Sequence, residues 1–235
     1  MVGMMSVGLV SCNSDEDFVE DYGVRHYYVD LGLPSGTLWA TMNVGASKPE
    51  DYGDYFAWGE TVGYNGGKTK FTWNNYKYCY GYDGIDCNTF WKYCTKSTYG
   101  TKDYKTELEA MDDAATANWG IGWQMPSETQ CAELINTTYT TTEWTTVNGV
   151  NGIKITSKTN KKSIFLPAGG YRHYNSKVCD QSYNDQRGCY WSRSLNTKHN
   201  YEGYDLEFSS NFLGTYYDGR YRCDGHSVRP VRVQK

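Results

Sequence analysis

G-C-Y-W-S-R-S-L (Gly188–Leu195), N-T-K-H-N-Y-E-G-Y-D-L-E-F-S-S (Asn196–Ser210), N-F-L-G-T-Y-Y-D-G-R-Y-R-C-D-G-H (Asn211–His226) and S-V-R-P-V-R (Ser227–Arg232) follow one another near the end of the chain. Tyr190, Trp191, Leu195, Leu206, Phe208, Val228 and Val231 recur at strand-like spacings. Leu206 and Phe208, two apart, face the same side of a sheet. Between these positions lie runs of Tyr, Ser, Asn, Gly, Asp and Arg. Tyr offers large rigid contact area at low entropic cost, while Ser, Gly and Asn adapt. An apolar frame that displays such a face points to recognition before catalysis.

From Ser209 to Ser227 the chain uses only Ser, Asn, Phe, Leu, Gly, Thr, Tyr, Asp, Arg, Cys and His. Each can be written by a codon that ends in a pyrimidine and whose first two bases are free. Lys, Glu, Gln, Met and Trp cannot, and none occurs in the run. Mutation of the adenines of Asn codons would generate this set.

The 235 residues include 23 Tyr and 8 Trp, which supply bulk that the 39% hydrophobic content and mean hydropathy of −0.72 understate. With 25 Gly against five Pro, turns are made by glycine. A net charge of −4 and a pI near 5.6 argue against a nucleic-acid partner, which needs a basic face. Arg220, Arg222, Arg229 and Arg232 read as a solvated strand end.

Met1–Ser11 is apolar, uncharged and too short to span a bilayer. Leu9-Val10-Ser11-Cys12 resembles a bacterial lipobox, and Asn13-Ser14-Asp15-Glu16-Asp17 resembles an acidic outer-membrane export tag. Lipidation at Cys12 is the expectation, with residues 1–24 as signal remnant and tether and the membrane met only through that anchor. Tyr27–Leu31, the turn Leu33-Pro34-Ser35-Gly36 and Thr37–Ala40 form a hairpin. Thr61–Tyr104 has neither helical nor strand periodicity and reads as an inserted set of long loops, with Cys79 and Cys87 as the local bridge. Lys105–Trp119 reads as a helix capped by Thr106 and Glu109. A second helix follows Ser127, whose partner in a capping box is Gln130, with Ala132, Leu134 and Ile135 inward. Trp144–Val147, the Asn148-Gly149 turn, Gly152–Thr156 and Ser163–Pro167 are strands. The class is α+β, one domain over 25–235.

Val29-Asp-Leu-Gly-Leu-Pro-Ser-Gly36, Ala57-Trp-Gly-Glu-Thr61, Asp112-Asp-Ala-Ala115 through Trp119-Gly120, Trp123-Gln-Met-Pro126, Phe165-Leu-Pro-Ala-Gly-Gly-Tyr-Arg172, Tyr190-Trp-Ser192 and Ser227-Val-Arg-Pro-Val231 occur in this order. The succession resembles the Fibrobacter succinogenes major paralogous domain family of bacterial surface proteins. The resemblance implies a C-type lectin-like fold, of the kind shared with formylglycine-generating enzymes, whose first and last strands pair, here Tyr27–Leu31 beside Val228–Val231. The C-terminal stretch is also similar to the variable region of proteins diversified by retroelements. Lys198, Glu202 and Glu207 depart from Asn-codon products, and Gln124 stands where the family usually has Arg.

Carried over, the ligand face comprises His173, Tyr174 and Asn175; then His199, Asn200 and Tyr201. The third loop adds Asn211, Phe212, Leu213, Thr215, Tyr216, Tyr217, Asp218, Arg220, Tyr221, Cys223, Asp224 and His226. The expected ligand is a protein or glycan at the cell surface. A pilus subunit or tip adhesin is the alternative, and a formylglycine-generating-like enzyme a remoter one. No spacing among Cys179, Cys189 and Cys223 reads as a redox motif. The four His residues show no zinc spacing, and the carbohydrate-lectin calcium phrases are missing. Acidic side chains leave room for a structural calcium, and no cofactor or catalytic residue is expected.

Overall fold

The computed structural model describes residues 17–21, 24–81, 87, 89–173, 180–182, 185–215 and 219–233. Its strands are β1 (Asp17–Asp21), β2 (Val24–Asp30), β3 (Thr37–Ala40), β4 (Thr140–Val147), β5 (Val150–Ser157), β6 (Ser163–Pro167), β7 (Tyr171–His173), β8 (Asp180–Ser182), β9 (Arg187–Leu195), β10 (Glu202–Ser209), β11 (Phe212–Thr215), β12 (Arg220–Tyr221) and β13 (Val231–Val233). Two short helices, α1 (Ala114–Trp119) and α2 (Glu128–Leu134), lie between β3 and β4. The class is α+β, and the strand pairs within its sheets are antiparallel.

The hairpin of β2 and β3 forms as the Leu33–Gly36 turn chemistry dictates. The last strand does not pair with β2. β13 joins β3 instead, with Val231 opposite Trp39, so the sheet order is β1-β2-β3-β13. Both chain ends share one sheet, but β3 lies between them. Part of the expected tether is also structured, because Asp17–Asp21 forms β1 along the outer edge of β2.

The expected helix over 105–119 survives only in its second half. Leu108 turns in beside β9, where its amide donates to the Arg193 carbonyl at 3.0 Å. Met111 is exposed, and the two aspartates have separate duties. Asp112 takes Lys77 Nζ at 2.7 Å, Lys92 Nζ at 2.5 Å and the Tyr93 hydroxyl at 2.7 Å. Asp113 caps α1 by accepting from Thr116 N at 2.9 Å, and its other oxygen accepts from Met125 N at 2.8 Å. These tertiary bonds fix a 3-10 turn at Ala110–Asp112 in place of helix. The capping box at α2 forms as expected, burying Cys131 and Leu134, whereas Ala132 is exposed. Asn148 and Gly149, both at positive φ (48° and 86°), close the β4–β5 hairpin in the primed turn their types favour.

The segment 61–104 is core. Phe71, Trp73, Tyr76, Tyr78, Phe90, Tyr93 and Cys94 are buried with Trp58, Trp191, Leu195 and Val228. The Cys79–Cys87 disulfide is present. A second core joins Val29, Leu31, Trp39, Leu134, Ile153, Ile155, Ile164, Leu166, Tyr190, Leu206, Phe208 and Val231. Strand β9 divides the two, because successive side chains alternate faces: Tyr190 enters one core and Trp191 the other. On β10, Leu206 and Phe208 share the Tyr190 face, so Asp205 and Glu207 turn toward the Trp191 side.

Arg222 and Arg229 are fully buried and are not a solvated strand end. Arg222 Nε donates to the Tyr76 hydroxyl at 2.8 Å, and its terminal nitrogens reach the carbonyls of Tyr93, Asn200 and Lys92 at 3.1, 2.9 and 3.1 Å. Its guanidinium lies 4.6 Å from the Phe90 ring centre and 4.8 Å from that of Trp58. Arg229 binds Asn43 Oδ1 and the carbonyls of Ala40 and Phe165 at 2.8–2.9 Å. Burial lowers it to about 10.

Candidate ligand-binding groove

One edge of β10 carries β9. The other carries β11 against residues 206–209 and then β12 against 202–203. Along this second edge the expected face divides by burial.

Next to β12 opens a cleft of about 320 Å3, lined by Tyr171, His173, Glu202, Gly219, Arg220, Tyr221 and Asp224. β7 brings His173 there because Arg172 exchanges two backbone hydrogen bonds of 2.8 Å with Gly225. His173 Nδ1 lies 2.7 Å from Asp224 Oδ1, and that bond raises the imidazole above its ordinary value. Burial raises Asp224, which lines the cleft beside its His173 partner.

The aromatic rings continue away from it. Tyr221, 39% exposed, sits 6.5 Å from His173 and 5.9 Å from Tyr201, with its base on the buried Trp73 at 5.7 Å. Tyr201 in turn is 5.5 Å from His199 and 5.5 Å from Tyr99. His173 on β7, His199 with Tyr201 before β10, and Tyr221 on β12 therefore come from three separate segments into one row of rings that runs out from the cleft. Tyr99, from the 61–104 segment, was not expected there. The only sequence signal for it is the Tyr content of that segment.

A second patch surrounds the β10–β11 turn. Asn211 and Phe212 are exposed and Leu213 is half-buried, with Thr215 paired to Leu206 at the other end of β11. Ser209, Ser210 and Asn211 border a depression of about 460 Å3 with Trp144, Asn151 and Arg187. The two regions are linked through Glu207, which is buried. Its Oε1 meets Arg187 Nη1 at 2.9 Å, and its Oε2 meets Arg220 Nε at 3.1 Å.

Besides the buried Asp224, three expected contact residues are enclosed away from the cleft. Asn200 accepts from Thr95 N, Thr95 Oγ1 and Lys96 N at 2.7–3.1 Å, so it anchors the 61–104 segment. Cys223 belongs to the aromatic core, where burial pushes its thiol up. His226 is fully buried, stacked on Trp191 with ring centres 3.9 Å apart. For Cys223 and His226 the reason is shared: after β12 the chain turns inward to place Arg222 and then Val228. Tyr174, Asn175, Tyr216, Tyr217, Asp218 and Cys12 lie outside the described residues.

A family model described as a domain of unknown function (DUF8237) matches residues 135–231, under half of the chain. That span holds the groove except Tyr99. No curated protein and no solved structure matches the chain.

Proposed function

We propose that this chain is a surface-displayed ligand-binding protein with a C-type lectin-like domain, held to the outer membrane by a lipid on Cys12. Its groove recognises a protein or glycan ligand. The observation that carries the reading is the convergence of His173, His199, Tyr201 and Tyr221 from three separate segments, with Tyr221 resting on the buried Trp73. Rings held this way lose little freedom on contact, and the polar edges of Tyr and His give direction. Arg220 and Glu202 add charge at the rim of the cleft. A cleft of about 320 Å3 is at the small end of ligand sites, so it takes one sugar ring or one side chain of a larger partner. The Cys79–Cys87 disulfide suits an oxidising compartment outside the cytosol.

The test is a screen of the purified chain on arrays of glycans and extracellular proteins, with Tyr221→Ala and Tyr201→Ala alongside. The reading expects a ligand whose affinity falls roughly tenfold or more in each variant, as for aromatic anchors. A ligand bound equally by wild type and both variants would place recognition elsewhere. An absence of any ligand across both arrays would count against the binding role.

A further inference from the structure

We propose that Cys189, Asp205 and Glu207, with His226 beside Asp205, form a buried site for a divalent metal ion of the zinc class. This is independent of what the groove binds.

The strands assemble most of it. Cys189 on β9 is the register partner of Glu207 on β10, and Asp205, two residues away, projects from the same face. One ligand atom from each of Cys189, Asp205 and Glu207 lies within 4.8 Å of the others, and all three residues are buried. His226, from the segment after β12, approaches Asp205 and is not one of the three residues clustered within 4.8 Å. Its Nδ1 is 3.4 Å from Asp205 Oδ2, yet the two make no hydrogen bond. Neither oxygen of Asp205 and neither ring nitrogen of His226 has a hydrogen-bond partner, although both residues are fully enclosed. Unpaired polar atoms at such depth are rare in folded proteins.

A shared ion accounts for the arrangement. Two atoms on one tetrahedral centre, at bond lengths of about 2.0–2.1 Å, are held roughly 3.4 Å apart and do not point at each other. That matches the His226–Asp205 separation. The donor set selects the ion: sulfur, imidazole nitrogen and carboxylate oxygen together suit zinc, whereas calcium and magnesium favour oxygen alone. The outer support is in place as well. Arg187 and Arg220 grip Glu207, and His226 is fixed by Trp191 beneath its ring and by backbone hydrogen bonds of 2.9 and 3.0 Å to Phe56. The two guanidiniums offset only part of the charge that Asp205, Glu207 and a Cys189 thiolate would carry. On loading, the thiol proton leaves to solvent as the sulfur–metal bond forms. The ion would tie β9 and β10 to the inward-turning segment directly beneath the groove.

The whole chain, purified without an immobilised-metal column, is assayed for bound metal, stripped with chelator and reloaded. The expected result is about one zinc per chain, with a melting temperature of the stripped protein that rises with added Zn2+ but not Ca2+. Cobalt substitution should give a sulfur-to-cobalt charge-transfer band. That band should vanish in Cys189→Ser and persist in Cys131→Ser, an equally buried thiol in α2. Asp205→Asn should weaken cobalt binding roughly tenfold or more. If Cys189→Ser fails to fold, the wild-type metal content, Zn2+ response and band decide alone. A stripped protein indifferent to Zn2+, or a cobalt spectrum without the thiolate band, overturns the site, as does a band that survives Cys189→Ser.

Discussion

Arg222 shows how one side chain can reverse the reading of a whole run. Its neighbours Tyr221 and Gly219 belong to a polar run of sequence, yet its guanidinium is fully enclosed and bonded to one hydroxyl and three carbonyls. Replacing it by Met keeps apolar volume but strands those acceptors, so Arg222→Met is expected to cost about 3 kcal/mol or more in urea unfolding. A loss under about 0.5 kcal/mol would mean that the buried bonds contribute little. Asp112 makes a second prediction at this scale. Burial alone would raise its carboxyl, but Lys77, Lys92 and Tyr93 hold it well below the ordinary carboxylate range. A lowered folded-state value means that its contribution is complete above the unfolded value of about 3.9 and is lost as pH falls through the lowered one. Asp112→Asn should therefore be less stable than wild type at neutral pH, and the gap should close with acidification below about pH 4. A gap that stays constant down to acid unfolding would refute the assignment.

At the scale of elements, the 61–104 segment behaves as part of the core. Phe71 packs so closely on Gly225 that an added Cβ would lie 2.6 Å from its ring. Gly225→Ala is expected to destabilise by about 1–3 kcal/mol through overpacking, read as a lower urea midpoint. An unchanged midpoint would show that the segment can shift away. This element was the least legible in the sequence, because its buried rings obey no period. They are placed by irregular turns, and they pack around Arg222, which lies well over a hundred residues later. Elements with local signals were legible: the Ser127–Gln130 capping box, the Asn148-Gly149 turn and the Leu33–Gly36 hairpin all formed. The first half of the helix expected over 105–119 failed because Asp112 and Asp113 satisfy other groups. The partner of β13 also depended on tertiary order that no local pattern records.

Across the whole molecule, burial sorts the C-terminal stretch into two populations. Trp191, Arg222, His226, Val228 and Arg229 are enclosed and form the frame. His173, His199, Tyr201, Asn211, Phe212, Arg220 and Tyr221 reach the surface. The sequence marked the run and its chemistry but not this division, since Cys223 and His226 come from the same restricted residue set as Tyr221. If the run is diversified, change must be confined to the second population, because altering the first would unpack the fold that presents it. Sequencing this gene from sibling strains tests that directly. The account predicts substitutions gathered at His173, His199, Tyr201, Asn211, Phe212, Arg220 and Tyr221, with Arg222, His226 and Arg229 unchanged. Substitutions spread evenly over exposed and enclosed positions would contradict it.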